Sequence, residues 1–176
     1  MSYIGPNATV GGNATVGANA TVRGDATVTG DATVGGNATV TVGDNATVRG
    51  NATVRGNATV TGNATVTGDA IVSDNATVRG DATVGGNATV GGNAIVSGGM
   101  VIDRSPMTIT RSDGYTFLYA PCADGIWRVS AGCRYFTIEE AEEHWRETRG
   151  DTPLGRETMI ILIALGAWRL LCEEQS

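Results

Sequence analysis

The chain has 176 residues and a formal net charge of −6, from twelve arginines against eighteen Asp plus Glu, and it contains no lysine. The charge divides as −2 over residues 1–104 (five Arg, seven Asp) and −4 over the remainder (seven Arg, eleven acids), so neither part is the basic surface that nucleic acid demands. Asp25, Asp31, Asp69 and Asp81 are too sparse, and too often beside arginine, to form the acidic rows of a DNA mimic.

From the N-terminus one six-residue phrase, Asn/Asp-Ala-Thr-Val-x-Gly, governs the chain. It starts at Asn7 and occurs fifteen times, the last at Asn93. Met1–Pro6 is already in register, with Ile4 at the valine position, and Gly99-Met100-Val101-Ile102 reads as a degenerate final unit. Spacing breaks once, between Asn37 and Asn45, where Thr41-Val42-Gly43-Asp44 adds two residues; a corner bulge is predicted there. Ala-Thr-Val in extended backbone puts Ala and Val on one face and Thr on the other. The Gly and Asn/Asp that follow accept the positive φ of a corner. Each unit is then one short strand and one corner, and such units bury a core only by stacking.

Read from Val10, the run Val10-Gly11-Gly12-Asn13-Ala14-Thr15 resembles the hexapeptide repeat of left-handed β-helix proteins, aliphatic at its first position and small at its fifth. The resemblance implies an all-β, triangular left-handed parallel β-helix over residues 1–104, with three units per coil and five to six coils. At roughly 4.8 Å per strand layer the solenoid would be on the order of 27 Å long. Its expected core is Val10, Val16, Val22, Val28, Val34, Val60 and their equivalents, with alanine beside them.

Beyond Arg104 the composition changes abruptly: all three Trp, both Phe and three of the four Tyr lie there. This predicts a second unit over residues 105–176, a small antiparallel sheet and two helices, serving as cap and oligomerisation element. Met107–Thr110 alternates as a strand, Ser112-Asp113-Gly114 is a hairpin turn, and Tyr115–Tyr119 is the return strand. Ile126–Val129 and Cys133–Phe136 read as third and fourth strands. Thr137 and Glu140 form a capping box, Phe136 and Ala141 a hydrophobic staple, and the helix they open runs to Arg149 with Gly150 as its stop. Thr152 and Pro153 open a second helix reaching about Glu174. Its segment Met159, Ile160, Ile161, Leu162, Ile163, Ala164, Leu165, extended by Trp168, is apolar all round yet too short to span a bilayer. Burial against the solenoid mouth, or against copies of the chain in a trimer, is predicted for it.

Candidate chemistry is thin. Cys122, Cys133 and Cys172 are an odd set without paired spacing, so neither a disulfide framework nor a zinc site is predicted, and no cofactor or metal ligand set emerges. No charged leader and apolar run opens the sequence, which points to synthesis in a bacterial cytoplasm. The ten Asn-Ala-Thr triplets arise from the repeat and are read as corner chemistry. Many left-handed β-helix proteins are acyltransferases, which as a family use a histidine on the solenoid, an extruded loop and clefts between subunits of a trimer. Residues 1–104 hold no histidine and no long insertion. His144, the sole histidine, lies four residues after Glu140 and is read as half of a surface i,i+4 pair. Glu139, Glu140, Glu142 and Glu143 are read as a solvated helix face.

An ice-binding or adhesion surface would need paired threonine rows aligned on one face. The pairs Thr27/Thr29, Thr39/Thr41, Thr59/Thr61 and Thr65/Thr67 divide over two faces, and Arg23, Arg49, Arg55 and Arg79 interrupt the rows. The stretch from Ser112 to Phe136 and the passage from Arg134 into the Glu-rich helix are similar to C-terminal segments of uncharacterised bacteriophage and prophage proteins. The leading expectation is therefore a non-enzymatic structural component of a virion, a decoration, fibre or tail-associated protein, with other virion proteins as partners. An acyltransferase-like enzyme with its site in the C-terminal part is the alternative.

Overall fold

The computed structural model describes residues 1–35 and 40–173. The described residues between Tyr3 and Ile102 form a triangular, left-handed parallel β-helix. Its three sheets hold six, six and five strands, and each strand pairs in parallel with the one a full coil away. One column of inward valines shows the register: Val22 lies beside Val42, Val42 beside Val60, Val60 beside Val78 and Val78 beside Val96. These valines, and the alanines two residues before each except at Val42, are wholly buried. Thr and Val thus part to opposite faces as a period of two requires.

Val28 and Val34 are as fully enclosed as Val22 and Val60, but Val10 and Val16 are only partly buried, because they belong to the first coil, whose outer side has no further coil upon it. The corners take positive φ at glycine, and where glycine is missing Asn19, Asp44 and Asp74 stand in with φ between 55° and 60°. These are residues that tolerate the left-handed region. The asparagine that opens each phrase does more than turn the chain. Asn13 Nδ2 donates to Asp31 Oδ1 at 2.8 Å, Asn51 to Asp69 at 2.8 Å, and Asn63 to Asp81 at 3.0 Å, so side-chain amides bind one coil to the next at the corner.

The register break lies elsewhere than expected. Val40–Val42 is a regular strand in which Val40 pairs with Ala20, Thr41 with Thr21 and Val42 with Val22, and Val42 is a core valine. Gly43 and Asp44 are its ordinary corner. The bulge predicted at Thr41–Asp44 is therefore corrected: that stretch is regular strand and ordinary corner, and the pairing is already shifted by two residues when the chain reaches Val40. The sequence holds two overlapping phrases, with Val40 able to serve either as core valine of the first or at the alanine position of the second. Deleting Val42 and Gly43 leaves Asn37-Ala38-Thr39-Val40-Thr41-Asp44, a complete phrase that can re-form the strand. The expected outcome is a protein melting within a few degrees of the parent by circular dichroism; a loss of cooperative melting would show that the second register is required.

The four predicted C-terminal strands are Met107–Thr110, Thr116–Pro121, Trp127–Ala131 and Arg134–Phe136, antiparallel in chain order. This sheet closes the end of the solenoid. Leu118, Ala120 and Cys122 join the solenoid core with Met100, which bridges to Cys122, and Ala123 N–H donates to Gly99 O at 2.8 Å. Gly98, at φ +59°, lies so close to Tyr135 that a Cβ there would sit 2.6 Å from the ring.

Helix α1 (Ile138–Arg149) carries the full capping box: Thr137 Oγ1 accepts from Glu140 N–H, and the Glu140 carboxylate accepts from Thr137 N–H. It buries Ala141 and Trp145. Helix α2 (Pro153–Glu173) packs along α1, burying Ile161, Leu162 and Leu165 in a core with Phe117, Tyr119 and Val129. No residue of α2 enters the solenoid core, so the predicted plug at the solenoid mouth is corrected: the sheet occupies that place first.

Candidate functional site

The second hairpin and α1 enclose a polar cleft of about 370 Å³. Its floor is Arg111, at the end of the first C-terminal hairpin strand and only 2% exposed. Arg111 Nε and Nη2 donate to the two Asp113 carboxylate oxygens at 3.0 and 2.7 Å, and Nη1 to Thr158 Oγ1 at 2.8 Å. Its guanidinium lies over the rings of Tyr115 and Phe117 at 5.1 and 5.7 Å. One wall is Cys133 and Arg134, where the third strand turns into the fourth; the other is His144, Thr148 and Arg149 of α1. Tyr115 Oη donates to Ala131 O at 2.6 Å. Burial pushes the Tyr115 hydroxyl above its ordinary range, a negative charge on Cys133 would add to this, and Arg134, Arg111 and Arg149 oppose it.

Arg111 holds the Asp113 carboxyl down at about 2. A carboxyl lowered in the folded state stabilises the fold above its ordinary range near 3.8, and that contribution is lost as pH falls towards 2. Asp113 is therefore expected to titrate near pH 2 by carboxyl-carbon NMR. Asp113→Ala should lower the melting temperature at pH 7 by several degrees, because it strands a buried guanidinium, whereas at pH 2 the variant and the parent should differ little. An ordinary titration near 4 would contradict the pairing.

His144 is not half of a surface pair. Glu140 is committed to the cap, no ion pair joins it to His144 among the described residues, and the imidazole packs at a tilt of 41° against Phe136 at 5.0 Å and meets the edge of Trp145 at 5.3 Å. It divides two surfaces, with Glu140, Glu143 and Glu147 on one side and the arginine cleft on the other. The cleft escapes sequence reading because its members come from residues 111, 115, 133–134 and 144–149, with no motif spacing. The one signal was the lone histidine beside an arginine-ended helix.

Of the predicted packing residues, Ile161, Leu162 and Leu165 face the protein's own core and Met159 and Trp168 are half-buried, with Trp168 edge-on to Trp127 at 5.9 Å. Ile160 and Ile163 remain 67% and 66% exposed, and Leu170 and Leu171, which sequence reasoning passed over, are 62% and 57% exposed. Among the described residues there is no group of three His, Cys, Asp or Glu able to hold a metal, and no helix is long and apolar enough to cross a membrane. Of the threonine pairs, Thr39/Thr41 lies partly outside the described residues, and the other three divide over two sheets. Thr27/Thr29 and Thr65/Thr67 share a sheet but are separated on it by Thr47/Arg49, and Thr59/Thr61 lies on another.

No family model matches the chain. No curated protein matches it either. Among solved structures it is similar to the acetyltransferase domain of PglB from Neisseria gonorrhoeae, at 20% identity and a TM-score of 0.38, over 57% of this chain and 50% of that one. It is also similar to a Bacillus cereus protein described as an acetyltransferase, at 14% identity and a TM-score of 0.35, over 94% of this chain and 98% of that one. The chain thus spans half the length of the first. These likenesses are of fold. The expectation of a non-enzymatic virion component is corrected: the two solved structures bear the names of an acetyltransferase domain and of a protein described as an acetyltransferase, and neither name is that of a virion protein. The C-terminal part, read from sequence as a cap, gathers a histidine, a thiol and arginines in one cleft.

Proposed function

We propose that the protein is an acyltransferase-like enzyme of the hexapeptide-repeat type whose reactive groups lie in its C-terminal part. The observation that carries this reading is the cleft in which His144 and Arg149 of α1 stand across from Arg134. The solenoid holds no histidine, so a general base has to come from α1. In the proposed reaction the His144 imidazole takes the proton of an acceptor hydroxyl or amine as that group attacks the carbonyl of an acyl thioester. The C–S bond then breaks, and the imidazolium returns the proton to the departing thiolate. An arginine at the cleft wall offsets the charge that develops on the carbonyl oxygen.

The protein also self-associates in this reading, as a trimer joined through the exposed stripe of α2. The enzymatic reading is tested by incubating the full chain with acetyl-CoA and a panel of amine and hydroxyl acceptors, with free CoA and acylated acceptor measured by mass spectrometry. Acceptor-dependent release that falls at least about a hundredfold in His144→Ala is expected, the scale of a lost general base. Release at parent rates in that variant, or none with any acceptor, would refute it.

A further inference from the structure

The C-terminal part carries seven arginines against eleven acids, yet no Asp or Glu lines the cleft between the second hairpin and α1. Arg111 contributes little net charge there, since Asp113 and Thr158 take up its donors. Arg134 and Arg149 differ. Both are exposed, neither forms an ion pair among the described residues, and they approach from separate elements, the start of the last strand and the last turn of α1. Position on α1 accounts in part for Arg149, because cations favour a helix C-terminus, and an arginine on an edge strand can discourage strand pairing. Neither reason explains why the two face one concavity while carboxylates are kept out of it. Both line the same cleft as Tyr115.

We propose that this cleft is a phosphoryl-binding site, with Arg134 and Arg149 closing on the oxygens of a phosphate monoester from opposite walls. Guanidinium forks suit this geometry, since each presents paired donors to two oxygens, and two positive charges match the dianion. Thr148 and the His144 imidazole lie on the same wall and supply further donors. A volume of about 370 Å³ exceeds the needs of a phosphate alone and leaves room for the organic part of the molecule. The site extends the acyl-transfer reading by giving the cleft a handle for a phosphorylated substrate, but binding is read without any acyl chemistry.

The test is isothermal titration of the full chain at constant ionic strength with inorganic phosphate, with adenosine 3′,5′-bisphosphate and with sodium chloride as the nonspecific control. Saturable binding of at least one phosphate compound is expected, weakened tenfold or more by Arg134→Ala and by Arg149→Ala, partly restored in Arg149→Lys, and unchanged by Arg55→Ala on the solenoid. Tighter binding of the bisphosphate identifies a phosphate ester as the ligand, and equal binding identifies free phosphate; both support the site. No saturable binding of either compound, or equal weakening by Arg55→Ala, overturns it. If phosphate binds but no acyl transfer is found, the enzymatic reading fails and the site stands.

Discussion

Val60→Asp is expected to unfold the solenoid cooperatively, while the same change at Val10 costs far less. Val60 is wholly buried between Val42 and Val78 in the middle of its column, and no polar partner lies within that core of valine and alanine. A carboxylate there must either remain charged in an apolar interior or be protonated at a raised pKa, and it loses the valine packing in either case. The cost is on the order of 4 kcal/mol or more, a large share of the stability of a domain this size. Each coil of a solenoid holds its neighbours in place, so damage to a middle coil spreads in both directions. Val10 lies on the first coil and is only partly buried, so a carboxylate there can turn to water. Thermal melts followed by circular dichroism check both changes. Equal melting temperatures for Val60→Asp and the parent would mean that the inward assignment is wrong.

The solenoid was legible because a short, fixed period determines both the secondary structure and its stacking. Once Ala-Thr-Val is extended and Gly-Asn turns, stacked units with inward valines follow, and the resemblance to the hexapeptide repeat adds the three units per coil. The register break was misplaced because Asn37–Val40 and Val40–Val42 meet the same local rules, so only pairing with Ala20 and Val22 on the neighbouring coil decides between them. The capping box at Thr137 was legible for the opposite reason: it is completed within four residues. The cleft was not, since Arg111, Cys133 and His144 come together only through the pairing of four strands and the placement of α1 on them. Local chemistry suggested a surface pair for His144; the aromatic rings of Phe136 and Trp145 hold it instead.

The apolar helix α2 was legible as apolar but not by face. A helix hydrophobic on every side gives no periodicity from which to choose an inner surface, so Ile161 and Leu165 could not be told from Ile160 and Ile163. With the fold in hand the exposed set is Ile160, Ile163, Ala167 and Leu170, with Leu171 beside them. Their spacings of three, four and three residues are those of a coiled-coil seam. The seam is about ten residues long, or roughly 15 Å. The four large side chains would each gain roughly 1 to 2 kcal/mol on burial, allowing for their existing partial cover.

Double substitution of Ile160 and Ile163 by Glu is therefore expected to convert the proposed trimer of 18.0 kDa chains to monomer without loss of folding. Ile161→Glu and Leu165→Glu should instead unfold the C-terminal core, because those side chains are enclosed by the chain's own sheet and α1. Sedimentation velocity with a parallel thermal melt separates the two effects. A parent protein that sediments as a monomer at micromolar concentration would end the proposal, as would a trimer that survives Ile160→Glu/Ile163→Glu intact.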